Sequence, residues 1–362
     1  MLSPRRILLV LPLLFLPAQA HAQKPKPVTP VNKAEISETA KPGSPLPLSQ
    51  RDTLNFKYAD LGDSYLPYPA FIGTFANGQQ AQFLIDTGSD GLSISDELAQ
   101  KLGLSPDASR LLDKSLVVDG KPIKEVTMPD CVIQLSLLSY PLSSAKSEGK
   151  FTINGAANVI PAKHIGFIGA DGIFGTALLS GSAAIFDGPR KEGTFIVGGK
   201  LTATEREQLG FPALAASVAA SPPQVGSSSL VTLSVTLENK GVSREVTLLL
   251  DTGSNVTTIS RDLAMAIGLE PVHSSTTSGV LGSEETENAP VETLRIGDLA
   301  LHGVSVVYPS KDKAASVNGG PKGSVSSKLG MDILAGYRVL IDLPASRMYI
   351  MPEVPQVNIL PK

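Results

Sequence analysis

Asp-Thr-Gly-Ser occurs twice in this chain, as Asp86-Thr87-Gly88-Ser89 and as Asp251-Thr252-Gly253-Ser254. Each copy directly follows an apolar run, Phe83-Leu84-Ile85 in the first case and Leu248-Leu249-Leu250 in the second. Two carboxylates delivered this way suit hydrolysis of an amide without metal or covalent nucleophile, because one can activate water while the other protonates the carbonyl oxygen or the leaving amine. Held close together, like charges resist double ionisation, so such a pair keeps one proton and titrates as a unit. A glycine after Asp-Thr lets the backbone bend toward the carboxylate and direct an N–H at it. The neighbouring Thr and Ser hydroxyls offer further donors.

The flanks repeat as well. Ile94-Ser95, Leu98-Ala99 and Gly103-Leu104 recur as Ile259-Ser260, Leu263-Ala264 and Gly268-Leu269, at the offset that separates Asp86 from Asp251. The chain is therefore an internal duplication. Within each copy Ser95 or Ser260 reads as a helix N-cap and Gly103 or Gly268 as the left-handed residue that ends the helix. Further on, Gly172-Ile173-Phe174-Gly175-Thr176 and Lys328-Leu329-Gly330-Met331-Asp332 lead, at equal spacing, to Ile185-Phe186-Asp187 and Leu340-Ile341-Asp342. Thr176 and Asp332 read as N-caps of short helices.

These motifs resemble the aspartic peptidase superfamily that includes pepsin and retropepsin, over about residues 66–353. The short lobes and the Leu-Gly-Met-Asp-like ending are more similar to bacterial retropepsin-like proteins. The resemblance implies an all-β, bilobal β-barrel fold with two pseudo-symmetric lobes, short helices and one cleft. It implies that Asp86 and Asp251 are catalytic. Thr87 and Thr252 would cross-brace the two loops, and Gly88, Ser89, Gly253 and Ser254 would hold the carboxylates in place. It also implies a hairpin flap over the substrate. Val118, Asp119 and Gly120 are the candidates in the first lobe, where Asp-Gly marks a turn, and Gly279, Val280, Leu281 and Gly282 in the second. Neither segment contains the tyrosine of a pepsin flap, and the apolar tips are closer to retropepsins.

The elements that must carry the aspartates are hairpins. Residues 70–75, Asn77-Gly78 and 82–85 form one, while Val231, Leu233, Val235 and Leu237, an Asn239-Lys240-Gly241 turn and 246–250 form the other. The organisation expected from these signals is a signal peptide over 1–22, a disordered Pro/Lys/Ser-rich tether or propeptide-like segment over 23–64, an N-terminal lobe over 65–211, a linker over 212–229 and a C-terminal lobe over 230–362. Arg5-Arg6 before an apolar stretch too short to span a bilayer, followed by small-residue cleavage sites around Ala20 and Ala22, argues for export to the periplasm or medium and for no membrane span once the signal is removed.

The formal charge of −3 shows no basic excess, which speaks against nucleic acid as a partner. Four scattered histidines and one cysteine, Cys131, form no ligand cluster, so no metal or other cofactor is expected. A Gly166/Gly169/Gly172/Gly175 series lacks the Gly-Lys-Ser/Thr ending of a phosphate loop and suits close β packing. The expected partner is a peptide or protein substrate, met by a monomer whose lobes form one intramolecular site. Two alternatives stay open: an exported peptide- or cell-wall-binding protein with an inactive cleft, and lobes that pair with their copies on a second chain.

Overall fold

The computed structural model describes residues 51–59, 67–89, 91–104, 107–111, 117–118, 121–122, 124–134, 136–137, 150–165, 169–176, 181–197, 200–212, 216–221, 230–279, 282–310 and 327–352. The expected signal segment, most of the expected tether, Asp119, Gly120, Val280 and Leu281 lie outside these residues. Among the described residues no helix is long and apolar enough to cross a membrane.

The first lobe runs β1 (Asp52–Ala59), β2 (Tyr68–Phe75), β3 (Gln80–Asp86), β4 (Leu92–Ser95), α1 (Asp96–Lys101), β5 (Asp107–Leu111), β6 (Val117–Val118), β7 (Lys121–Pro122), β8 (Lys124–Gln134), β9 (Ser136–Leu137), β10 (Lys150–Ile160), α2 (Ala162–Ile165), β11 (Gly172–Gly175), β12 (Ala183–Asp187) and β13 (Glu192–Ile196). After α3 (Ala203–Gln208), the second lobe runs β14 (Ala216–Ser221), β15 (Thr232–Asn239), β16 (Val242–Leu250), α4 (Arg261–Ala266), β17 (His273–Gly279), β18 (Gly282–Ile296), β19 (Leu299–Pro309), β20 (Lys328–Leu329), α5 (Met331–Leu334), β21 (Tyr337–Asp342) and β22 (Arg347–Pro352). The architecture is all-β and bilobal, as expected.

Both aspartate-bearing hairpins form from local turn chemistry. In the first lobe β2 and β3 pair from Ala70↔Leu84 to Thr74↔Gln80, and Gly78 closes the turn at φ 82°. In the second, β15 and β16 pair from Thr232↔Leu249 to Asn239↔Val242. That spacing leaves a two-residue turn, with Lys240 at φ 49° and Gly241 at φ 77°, whose backbone twist matches that of the strands. The helices that follow the aspartate loops start where the serines cap them. Ser95 Oγ accepts the Leu98 amide at 3.0 Å and Ser260 Oγ that of Leu263 at 3.2 Å. Gly103 and Gly268 follow at φ 70° and 67°.

Two boundaries differ from expectation. The tether does not reach residue 64, because β1 is an ordered strand that pairs with β13 (Thr53↔Ile196 to Lys57↔Glu192) and with β2. Phe56 and Tyr58 alternate into the core there, and Phe56 packs against Phe186 and Phe195 at 5.3 and 5.0 Å between ring centres. Just before β1, Arg51 is fully buried and meets Glu205 of α3 at 2.9 Å. Glu205 also accepts the Thr202 amide at 2.7 Å, which completes the N-cap of that helix. The expected linker is likewise partly strand: β14 pairs with β22 and then with β15. Its small Ala and Ser side chains carry no period-2 apolar signal, so pairing with distant strands decides its conformation.

The lobes share one antiparallel sheet in the order β1-β13-β12-β21-β22-β14. Its midline is the β12/β21 pairing, from Ala183↔Asp342 to Asp187↔Arg338. There Arg338 Nε of the second lobe lies 3.3 Å from Asp187 of the first. The largest apolar cluster among the described residues continues through both lobes, aromatic in the first (Phe56, Phe71, Phe83, Phe174, Phe186, Phe195) and aliphatic in most of the second.

Candidate active site

Asp86 ends β3 and Asp251 directly follows β16, and each strand is held between neighbours. Phe83, Leu84 and Ile85 are fully buried in β3, which is flanked by β2 and by the parallel strand β11, with Phe174 opposite Ile85 and Gly175 opposite Asp86. In the second lobe β20 lies parallel to β16, with Leu329 opposite Leu250, and the Asp251 amide donates to the Leu329 carbonyl at 3.0 Å. The chain then turns back at each aspartate: the Ser89 amide reaches the Asp86 carbonyl at 3.2 Å and the Ser254 amide the Asp251 carbonyl at 3.3 Å.

The two loops meet across the pseudo-twofold axis. Thr87 Oγ1 donates to the Leu250 carbonyl at 2.8 Å and accepts the Thr252 amide at 3.0 Å. Thr252 Oγ1 donates to the Ile85 carbonyl at 2.7 Å and accepts the Thr87 amide at 3.1 Å. All four bonds are buried, so each threonine uses its hydroxyl as donor and acceptor on the other lobe's backbone. Within each loop the glycine amide holds the carboxylate, Gly88 on Asp86 Oδ1 at 2.7 Å and Gly253 on Asp251 Oδ1 at 3.0 Å.

The arrangement brings Asp86 and Asp251 into contact through a side-chain hydrogen bond. Burial, then the charge of Asp251 and that bond, push the Asp86 carboxyl well above the ordinary carboxylate range. The Gly88 amide and the charge of Lys328 oppose them. The glycines are the points of closest approach. A methyl group added at Gly88 would lie 2.5 Å from Asp251 Cγ, and one at Gly253 would lie 2.4 Å from Asp86 Cγ.

The Ser254 hydroxyl acts differently from the expectation that it serves the carboxylate. Ser254 Oγ donates to the Val256 carbonyl at 2.9 Å, within its own loop. The backbone carbonyls do the anchoring: Ser89 O accepts the Thr176 amide and hydroxyl at 2.9 and 3.1 Å, and Ser254 O accepts the Met331 amide at 2.7 Å. Asp332 is not an N-cap. Gly330 occupies that position in α5, and Asp332 accepts the amide and hydroxyl of Thr257 at 2.8 and 2.7 Å, fixing the loop after Ser254.

Of the flap candidates, Val118 lies in the small β6/β7 hairpin, where Val118 pairs with Lys121 around Asp119 and Gly120. Gly279 and Gly282 pair at the end of the β17/β18 hairpin, around Val280 and Leu281. The backbone thus places a hairpin at both positions, and the four tip residues lie outside the described ones.

Lys328 was absent from the sequence-derived site. Its Nζ lies 2.9 Å from Asp251 Oδ2. The signal was available in the duplication, since the equivalent position of the first copy is Ile173 and a lysine in place of an apolar residue is the kind of asymmetry that marks a site.

The model for the aspartyl protease family matches residues 72–133 and again residues 233–333, one match in each lobe. The two matches support an aspartic peptidase superfamily, consistent with two lobes in tandem. No match was found among curated proteins. Among solved structures, conglutin gamma, a basic 7S globulin from lupine seeds, is similar over 83% of this chain and 95% of its own, at 12% identity and a TM-score of 0.46.

Proposed function

We propose that this chain is an exported aspartic endopeptidase that cleaves peptide bonds with a water activated between Asp86 and Asp251. The observation that carries this reading is the contact between the two carboxylates, each held by its own loop glycine and both loops locked by the paired threonines. Asp251 takes a proton from the attacking water, and Asp86, which carries the shared proton, gives it to the substrate carbonyl oxygen. The resulting tetrahedral intermediate collapses as a proton passes to the leaving amine. Every donor is in place before the substrate arrives, so little reorganisation accompanies the reaction. One chain supplies both carboxylates, which supports a monomeric enzyme. Export rests on the N-terminal segment, and a mature N-terminus near His21 or Gln23, read by mass spectrometry, checks it.

Activity should be bell-shaped in pH. With one proton on the pair required, the rate falls as pH rises through the elevated value of Asp86, and falls again in acid when the pair takes up a second proton. Incubating the mature protein with a peptide library across the pH range, with products identified by mass spectrometry, tests the reading. Cleavage that rises steadily into alkali, or that a metal chelator abolishes, would count against the dyad. Binding of peptides without any cleavage would point to a binding protein.

A further inference from the structure

The two copies differ at a position directly beside the carboxylates. β11 and β20 are equivalent strands: each lies parallel to the strand that delivers an aspartate, with Ile173 opposite Leu84 and Lys328 opposite Leu249, both partners two residues before the aspartate. In the first lobe this position is apolar and buried. In the second it carries an ammonium group, 26% exposed at the side chain, against a carboxylate oxygen that is itself largely buried. Asp251 Oδ1 is taken by the Gly253 amide and Oδ2 by Lys328, so both oxygens of Asp251 have a donor.

We propose that Lys328 is a positioning residue of the site: its ammonium group binds Asp251 Oδ2, keeps the pair's negative charge on that carboxylate, and leaves the shared proton on Asp86. This rests on the peptidase reading and adds an asymmetry to it. A pair made symmetric by duplication has no intrinsic reason to prefer one carboxylate as base, and a cation beside only one of them supplies that reason. With Lys328 present, the cluster of Asp86, Asp251 and Lys328 is close to neutral when it holds one dyad proton. An ion pair partly shielded from water is worth more than one on the open surface.

The other charges around Lys328 are accounted for. On β16, Arg244 and Glu245 lie at the far end of the strand, with Glu245 bound to Ser234. On α5, Asp332 is held by Thr257. The loop residue Thr258, which bridges to Lys328, brings no charge, and neither does its β19 partner Val307. Among the described residues, Asp251 and Asp86 are the carboxylates left to respond to Lys328.

The sign of the effect follows. A cation favours every ionised form of the pair, so removing it makes both protons harder to lose. In Lys328→Met both limbs of the kcat/KM profile should move to higher pH, by about one unit. Lys328→Arg should return them toward the wild-type positions. In parallel, 13C NMR titration of labelled aspartate carboxyls in the wild type, Lys328→Met and Lys328→Arg reports the same shift without turnover. If the titration moves while no variant, nor the wild type, cleaves peptides, the peptidase reading fails and the role of Lys328 stands. If the carboxyl titration of Lys328→Met overlays the wild type, the proposal is overturned. A large gain in kcat with unmoved pH limbs overturns it as well, since Lys328 would then be a plug on Asp251.

Discussion

Replacing either Asp86 or Asp251 by asparagine is expected to lower kcat by about three to four orders of magnitude, the scale of an acid/base partner lost from a preorganised site. Asparagine keeps the shape and can accept the glycine amide, but it cannot exchange the proton. Stability should move the other way for Asp86. Its folded-state value is raised, so its contribution to stability is complete below the ordinary carboxylate range and is lost as pH rises through the folded-state value. Asp86→Asn escapes that loss, and its melting temperature at neutral pH should equal or exceed that of the wild type, with the advantage vanishing in acid. Kinetics with a peptide substrate and thermal melts at two pH values check both halves. A single mutant that keeps a large fraction of wild-type activity and runs as a dimer would show that lobes pair between chains instead.

The second large effect comes from the glycines. A methyl group at Gly88 would meet the Asp251 carboxyl at 2.5–2.9 Å, and one at Gly253 the Asp86 carboxyl at 2.4–2.7 Å, distances that real methyl groups do not reach. What obstructs it is a side chain, which can swing aside, so the fold has an escape and the dyad does not. Gly88→Ala and Gly253→Ala should each reduce kcat/KM by at least about a hundredfold, the scale of an ångström of misplacement at a reacting group. The cooperative unfolding transition should persist. Because each alanine acts on the opposite lobe's aspartate, combining Gly88→Ala with Asp251→Asn should cost little beyond the asparagine alone, whereas independent effects would multiply. Full additivity in that double mutant would contradict the geometry.

Much of this site could be read from the sequence because its signals are local. Asn77-Gly78 and Lys240-Gly241 set the hairpins, Ser95 and Ser260 the helix starts, and the duplicated tetrapeptide names both carboxylates. What escaped was decided by distant partners. β1 looks like the end of a Pro- and Ser-rich tether until β13 pairs with it and Phe56 meets Phe186 and Phe195. β14 is rich in Ala and Ser, with Val218 its one larger apolar residue, and becomes a strand between β22 and β15. The Asp332 carboxylate looks like a cap because it lies in the first turn of a helix, and it does take the Ile333 amide at 3.0 Å, but its other bonds go to Thr257, on a loop far away in the chain. Lys328 stands just before the Leu329-Gly330-Met331 run, and its role emerges only when β20 lies alongside β16 and brings the ammonium group to Asp251.

The crossed threonines also bear on the life of the chain before it is finished. Thr87 needs the Leu250 carbonyl and Thr252 needs that of Ile85, so neither loop has its final hydrogen bonds until both halves have folded and docked. A newly made chain with one half folded holds a single carboxylate on an unanchored loop, and it has no means of cutting the half that is still extended. On the peptidase reading proposed above, self-digestion is thereby withheld at the stage when the chain is most vulnerable to it.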